Sequence, residues 1–176
     1  MVYGAILIDL WLYFEHRCGH ARRLSWLYTR HVGAHHRRYS RHHPVDCAPS
    51  SMLPTAADLD LSVVTPLVVL LIAATLGGAA GAGAAATSLL GFVWHGAAHA
   101  APGTRTHRLS PRMYKHWHLL HHTTQRGCNY GIVSPLGDFL FGTLSPDYRP
   151  SITKQNLGSR RGPRLEEFQE RMSVYD

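Results

Sequence analysis

Fourteen histidines stand among 176 residues, and ten of them fall into four tight groups. The groups are His16 with His20, His31 with His35 and His36, His95 with His99, and His118 with His121 and His122. Residues three and four apart share one face of an α-helix, so each group is expected to aim two or three imidazoles to one side. Converging neutral ring nitrogens are what a transition metal requires, and imidazole suits Fe, Cu, Zn and Ni alike. Ten ligands serve two ions with about five each, leaving a position at each ion for dioxygen or substrate. A lone HxxxH pair arises by chance on many helices. Residues 30–44, with four Arg and five His, also read as a patch for anionic lipid or nucleic acid. The four groups together favour metal. His42, His43, His107 and His116 are left outside them. HExxH, GxSxG, Walker A, GxGxxG and CxxC patterns are all absent.

The elements that must carry these groups are apolar. Residues 61–104 form 44 consecutive positions without Asp, Glu, Lys or Arg. One helix of that length would run about 66 Å, against a hydrocarbon core of about 30 Å. Gly77, Gly78, Gly81 and Gly83 sit in its middle, so a helical hairpin is expected, within 61–100, with arms at 61–76 and 83–100. Both arms are a little short for a full span. A second apolar stretch, residues 2–14, is too short to span and encloses Asp9; a carboxylate at membrane depth is a functional hint. All 18 Lys and Arg lie in 17–41 or 105–171. A hairpin puts both regions on one face, and the positive-inside rule makes that face cytoplasmic. The four His groups share it. Forty-five per cent hydrophobic residues exclude a disordered chain. Three scattered cysteines exclude a disulfide framework. No secretory signal is seen.

The histidine pattern, with Asp9, Tyr13, His16 and Arg17 leading into it, resembles the fatty acid hydroxylase superfamily, which includes sterol desaturases and fatty acid 2-hydroxylases. The most specific stretch runs from His121 to Thr143, where HHTTQRGCNYGIVSPLGDFLFGT is similar to that family's ending. The resemblance covers about Leu7 to Thr143. It implies an all-α integral membrane bundle with a cytosolic, histidine-rich catalytic cap holding two Fe ions. It also implies O2-dependent hydroxylation, with electrons from a separate donor of the cytochrome b5 or ferredoxin type. The chain departs from the pattern at Gly137, where the family commonly has an aromatic residue. It also begins at the helix of the first His group, so upstream helices are expected in the natural gene, or else association with another copy.

The remaining expectations follow from position. Asn129, with Tyr130 and Gly131, could form a turn that caps the site or an ordinary loop. Asp138 could hold a histidine ring through its second N–H or serve as a helix cap. Asp9 could orient histidines or make a polar contact between helices. Trp94 and Trp117 are expected at the membrane interface. Residues 1–149 read as the catalytic domain. Residues 150–176 read as a polar tail, a linker at 150–163 followed by a short surface helix at 164–175. The expected function is hydroxylation of a lipid C–H bond, most simply on a fatty acyl chain, by a diiron centre with no nucleic-acid partner. Zinc binds nitrogen sites more tightly than Fe(II), so purified protein is expected to carry zinc readily. Carotenoid hydroxylase and sterol oxidase are alternatives of the same chemistry. A non-catalytic metal-binding membrane protein is the alternative of another class. The expected location is the bacterial inner membrane or the endoplasmic reticulum.

Overall fold

A computed structural model describes residues 1–40, 64–100, 104–123 and 127–146. The tail at 150–176, with its expected linker and helix, and His42 and His43 lie outside the described residues. Regular structure within them is helical. Helix α1 (Val2–Gly19) is the continuous apolar stretch of the N-terminus, closed by His16 and Arg17 in its last turn, where positive charge suits the helix dipole. A tight turn at 20–24 leads to α2 (Ser25–Arg30), a π-helical turn (His31–His35) and the short α3 (His36–Arg38). Helix α4 (Thr65–Leu76) opens with proline in its first turn, where the missing N–H costs nothing. Helices α5 (Gly78–Ala98), α6 (Arg112–Thr123) and α7 (Leu136–Leu140) follow, with a 3-10 turn at His107–Leu109 between the first two.

The hairpin forms, but its turn is narrower than the glycine cluster suggests. Gly77 alone makes it, at φ 88°, a conformation that costs glycine little. Gly78, Gly81 and Gly83 begin α5 instead. Gly81 and Gly83 serve close approach. A Cβ on Gly81 would collide with Ala73 of α4, one on Gly83 with the Met1 carbonyl, and one on Gly4 with the Ala80 carbonyl. Helix α1 thus lies in intimate contact with α5, and Ile8, Ile72, Ala80 and Ala84 form the apolar core there. Helix α7 docks on the other side of α1. The missing aromatic at 137 finds its reason here, since a Cβ on Gly137 would run into the ring of Tyr13.

No helix among the described residues is long and apolar enough to cross a membrane. Trp117 corrects an expectation: it is buried, with Ala98 and Tyr114, and its Nε1 donates to the Gly131 carbonyl at 3.2 Å. Trp94 packs partly buried against the same cluster.

Candidate metal centre

The four sequence groups interleave to make two clusters. His16 and His20 from the end of α1, His31 from the π turn, His36 from α3 and His121 from α6 bring one ring nitrogen each within 4.8 Å of one another. His35, His99, His118 and His122 do the same beside them. His95 stands against the second cluster, its ring centroid 4.6 Å from that of His118 and 4.8 Å from that of His35. The ten are buried except His20, which is half-buried.

Two groups do not keep to one helical face. In the π turn the His36 N–H donates to the carbonyl of His31, five residues back. That wider turn sets His31 and His36 side by side, Nε2 to Nε2 at 3.1 Å, and sends His35 into the other cluster. On α6, His118 and His122 share a face while His121 is rotated into the first cluster.

The spacing of the nitrogens is that of a coordination shell. His20 Nε2 is 3.0 Å from His31 Nε2, 3.1 Å from His36 Nε2 and 3.0 Å from His121 Nε2. In the second cluster His99 and His118 meet at 2.9 Å, and His35 and His122 at 3.1 Å. Metal–nitrogen bonds of about 2.0–2.1 Å place neighbouring ligands roughly 2.9 Å apart at right angles and roughly 3.3 Å apart at tetrahedral angles. Hydrogen bonds among the rings do not account for the convergence. A neutral imidazole has one N–H, and in three rings a carbonyl claims it at Nδ1. His16 donates to Tyr130 O at 2.7 Å, His121 to Cys128 O at 2.6 Å and His122 to Tyr39 O at 2.8 Å. Their Nε2 lone pairs are therefore turned inward, and the buried His16 Nε2 has no hydrogen-bond partner among the described residues. Such a donor set fits a cation at each cluster.

Burial pushes the pKa values of His35, His118, His121 and His122 well below the ordinary 6.5, and the neighbouring imidazoles add to the effect; only the Cys128 carbonyl works the other way, at His121. The rings are thus held neutral, the form that ligates.

Of the three other residues singled out in the sequence, Asn129 and Asp138 lie on one segment, 128–145, that covers the first cluster, and Asp9 of α1 holds that segment. Asn129, buried and at φ 59°, accepts from Ser145 N at 2.9 Å and donates to Trp117 O at 3.3 Å. Its left-handed backbone stands between the Cys128 and Tyr130 carbonyls that receive the two histidines. Asp138 reaches no imidazole among the described residues; its oxygens accept from Tyr130 N, Gly131 N and Thr143 Oγ1 at 2.8, 2.7 and 2.7 Å. Asp9 accepts from the backbone N–H and the hydroxyl of Ser134, pinning the segment to α1. The backbone carbonyls of Tyr39, Cys128 and Tyr130 were invisible to sequence reasoning, because every residue offers one.

The family model described as fatty acid hydroxylase matches residues 1–143. The chain belongs to the fatty acid hydroxylase family. Searches of curated proteins and of solved structures find no match to it. In this member of the family an apolar groove of about 190 Å³ lies between α1, α4 and α5, lined by residues such as Leu12, Pro66, Ser88, Phe92 and Ile132. Leu12 precedes His16 by one turn of α1. Ser88 and Phe92 share a face of α5 with His95 and His99. The groove therefore lies along the two helix faces that lead to the clusters. Thr65, also in its wall, donates to Glu15 Oε2 at 2.7 Å, tying α4 to α1 beside His16.

Proposed function

We propose that this chain is an O2-dependent hydroxylase of a lipid acyl chain, with two metal ions, iron in the working enzyme, held by the ten histidines. The observation that carries this reading is the pairing of two imidazole clusters, lone pairs inward, with an apolar groove on the same helix faces. Lipid chains offer unactivated C–H bonds, and a redox metal pair supplies the O2 chemistry such bonds require. The residues of the chain do the rest. His16, His20, His31, His36 and His121 hold one ion; His35, His99, His118 and His122, with His95 beside them, hold the other. The carbonyls of Tyr39, Cys128 and Tyr130 fix ring tautomers and orientation. The groove walls align a methylene chain and exclude water.

A membrane setting, with the histidines on its cytoplasmic side, belongs to the same proposal. Tyr3, Ile6 and Leu7 of α1, Leu67, Leu70 and Leu71 of α4, and Leu89 of α5 are all exposed, and exposed apolar side chains on three neighbouring helices suit contact with lipid. Arg17, Arg22, Arg23, Arg37 and Arg38, exposed as well, follow the histidine ends of their elements. The chain matches no redox-cofactor motif, and an external electron carrier of the cytochrome b5 or ferredoxin type completes the reading.

The test is lipid mass spectrometry of cells expressing the chain under ¹⁸O2. One ¹⁸O atom in a hydroxylated acyl chain is the expected result. Label in a carotenoid or sterol instead would move the substrate assignment. Metal binding without labelled product in any lipid, or full turnover by an iron-free zinc form, would overturn the oxygenase reading.

A further inference from the structure

The geometry points to Asp138 as a positioning residue for the first metal ion alone, acting on His16 through the Tyr130–Gly131 peptide. The inference rests on the dimetal reading above. One peptide plane carries both ends of the relay. Its C=O, from Tyr130, accepts the His16 Nδ1–H at 2.7 Å. Its N–H, from Gly131, donates to Asp138 Oδ2 at 2.7 Å. Carboxylates that hold the N–H of a ligating histidine directly orient the ring and raise its donor strength. Here a peptide group is inserted between the two. Hydrogen bonds in a chain polarise one another, so negative charge on Asp138 draws the peptide N–H and leaves the Tyr130 carbonyl a stronger acceptor.

Two further observations support the relay. Asp138 is fully buried, and among the described residues its partners are two backbone N–H groups and a hydroxyl, with no Lys or Arg. Its charge is therefore directed at the 129–131 backbone and is not consumed by an ion pair. Position 131 also permits the close approach: a Cβ there would collide with the Ser134 carbonyl and come within 3.0 Å of Asp138 Oδ2. The second cluster has a different support. His122 Nδ1 donates to Tyr39 O at 2.8 Å, and Asp138 has no bond to that residue. The two metal positions are thus electronically distinct.

The test uses the full chain loaded with cobalt(II), whose binding is followed by titration and whose ligand N–H protons are shifted by the unpaired electrons. Asp138→Asn keeps the shape and removes the charge. Its affinity for one cobalt ion is expected to fall about 10–100-fold, the usual effect of losing an outer-shell partner, with the other ion unaffected. The His16 Nδ1–H resonance is expected to move and that of His122 to stay. Asp9→Asn loosens the same segment at Ser134 while leaving the Asp138 charge in place, and is expected to lower the melting temperature and to weaken the first cobalt site less than Asp138→Asn does, with the His16 resonance unmoved. Equal weakening of both ions, an unmoved His16 resonance in Asp138→Asn, or the same cobalt effects from Asp9→Asn would reduce Asp138 to a loop fastener and overturn the inference. The wild-type protein loaded with zinc gives an independent reading. Strong relay bonds place the Gly131 amide proton and the His16 Nδ1 proton far downfield, and ordinary positions for both would overturn it. A wild-type chain that takes up only one cobalt ion overturns the dimetal reading and this inference with it.

Discussion

The two histidine clusters use the same ligand chemistry and are held by different means. The first leans on hydrogen bonds: Cys128 and Tyr130 carbonyls behind His121 and His16, the 128–145 segment behind those carbonyls, and Asp9, Asn129 and Asp138 behind the segment. It also contains the half-buried histidine, His20. The second is embedded among rings. Tyr39 stacks on His99 at 4.0 Å and 14°, and Tyr114 lies parallel to His118 at 5.5 Å and 10°. All of its histidines are buried. A cluster fastened by one connecting segment opens when that segment opens, whereas one packed among helices opens with the core. The first ion is therefore expected to exchange more readily than the second.

The sharpest way to break this comparison is to substitute two neighbours. His121 and His122 are adjacent in sequence and belong to different clusters. His121→Ala and His122→Ala are each expected to reduce hydroxylation to background, yet each to lose a different ion, leaving one metal per chain in both variants. Metal analysis combined with lipid mass spectrometry checks this, and loss of both ions in both variants would mean that the clusters act as one.

Metal removal comes next in size. The apolar clusters are small, and much of the deep interior is imidazole. An ion bound at a thousandfold excess over its Kd stabilises by about 4 kcal/mol, and a kcal/mol moves a chain of this size by roughly 2–4 °C. Chelation is thus expected to lower the melting temperature by roughly 10 °C per ion, in two steps, with the first cluster emptying earlier. A single step would erase the difference between the clusters.

Acid is expected to act on the metal-free protein with a definite sign. His35, His118, His121 and His122 have folded-state pKa values well below 6.5. Below that value the unfolded chain takes up protons that the folded chain refuses, so stability is complete above pH 6.5 and falls as pH drops through it. Each such histidine contributes about 1.4 kcal/mol per pH unit in that window. Denaturant melts at pH 7.5, 6.5 and 5.5 measure the slope, and a flat profile would show that the rings are not held neutral by burial.

The smallest effect belongs to a histidine outside both clusters. His107 donates from Nδ1 to Ala100 O at 3.1 Å, and its Nε2 meets Lys115 Nζ at 3.0 Å. His107→Ala is expected to cost about 1–3 kcal/mol by leaving buried partners behind, with both ions retained. Thermal melting with metal analysis tests it, and loss of an ion would extend the centre beyond the ten ligands.

How far the sequence alone determined this protein follows from the reach of its signals. Repeats of three and four residues are local, so the ten histidines, the helices that carry them and the hairpin were legible in the chain, as was the family through the stretch from His121 to Thr143. The partition of those histidines was not. It depends on a π turn that separates His35 from His31 and His36, and on a rotation of α6 that separates His121 from His118 and His122, neither of which leaves a periodic mark. The turn itself contracted to Gly77, because Gly83 was taken up by a close approach to Met1 at the far end of α1 and Gly81 by one to Ala73 across the hairpin. Trp117 went inward for a similar reason, since a hydrogen bond to Gly131 and packing on Ala98 were available only once α5 and α6 had met. The outer shell was the least legible part. Its key acceptors are backbone carbonyls, which have no residue type, and what aims them is the folded path of 128–145, set by Asn129 in a left-handed conformation and by buried carboxylates acting at a distance in sequence.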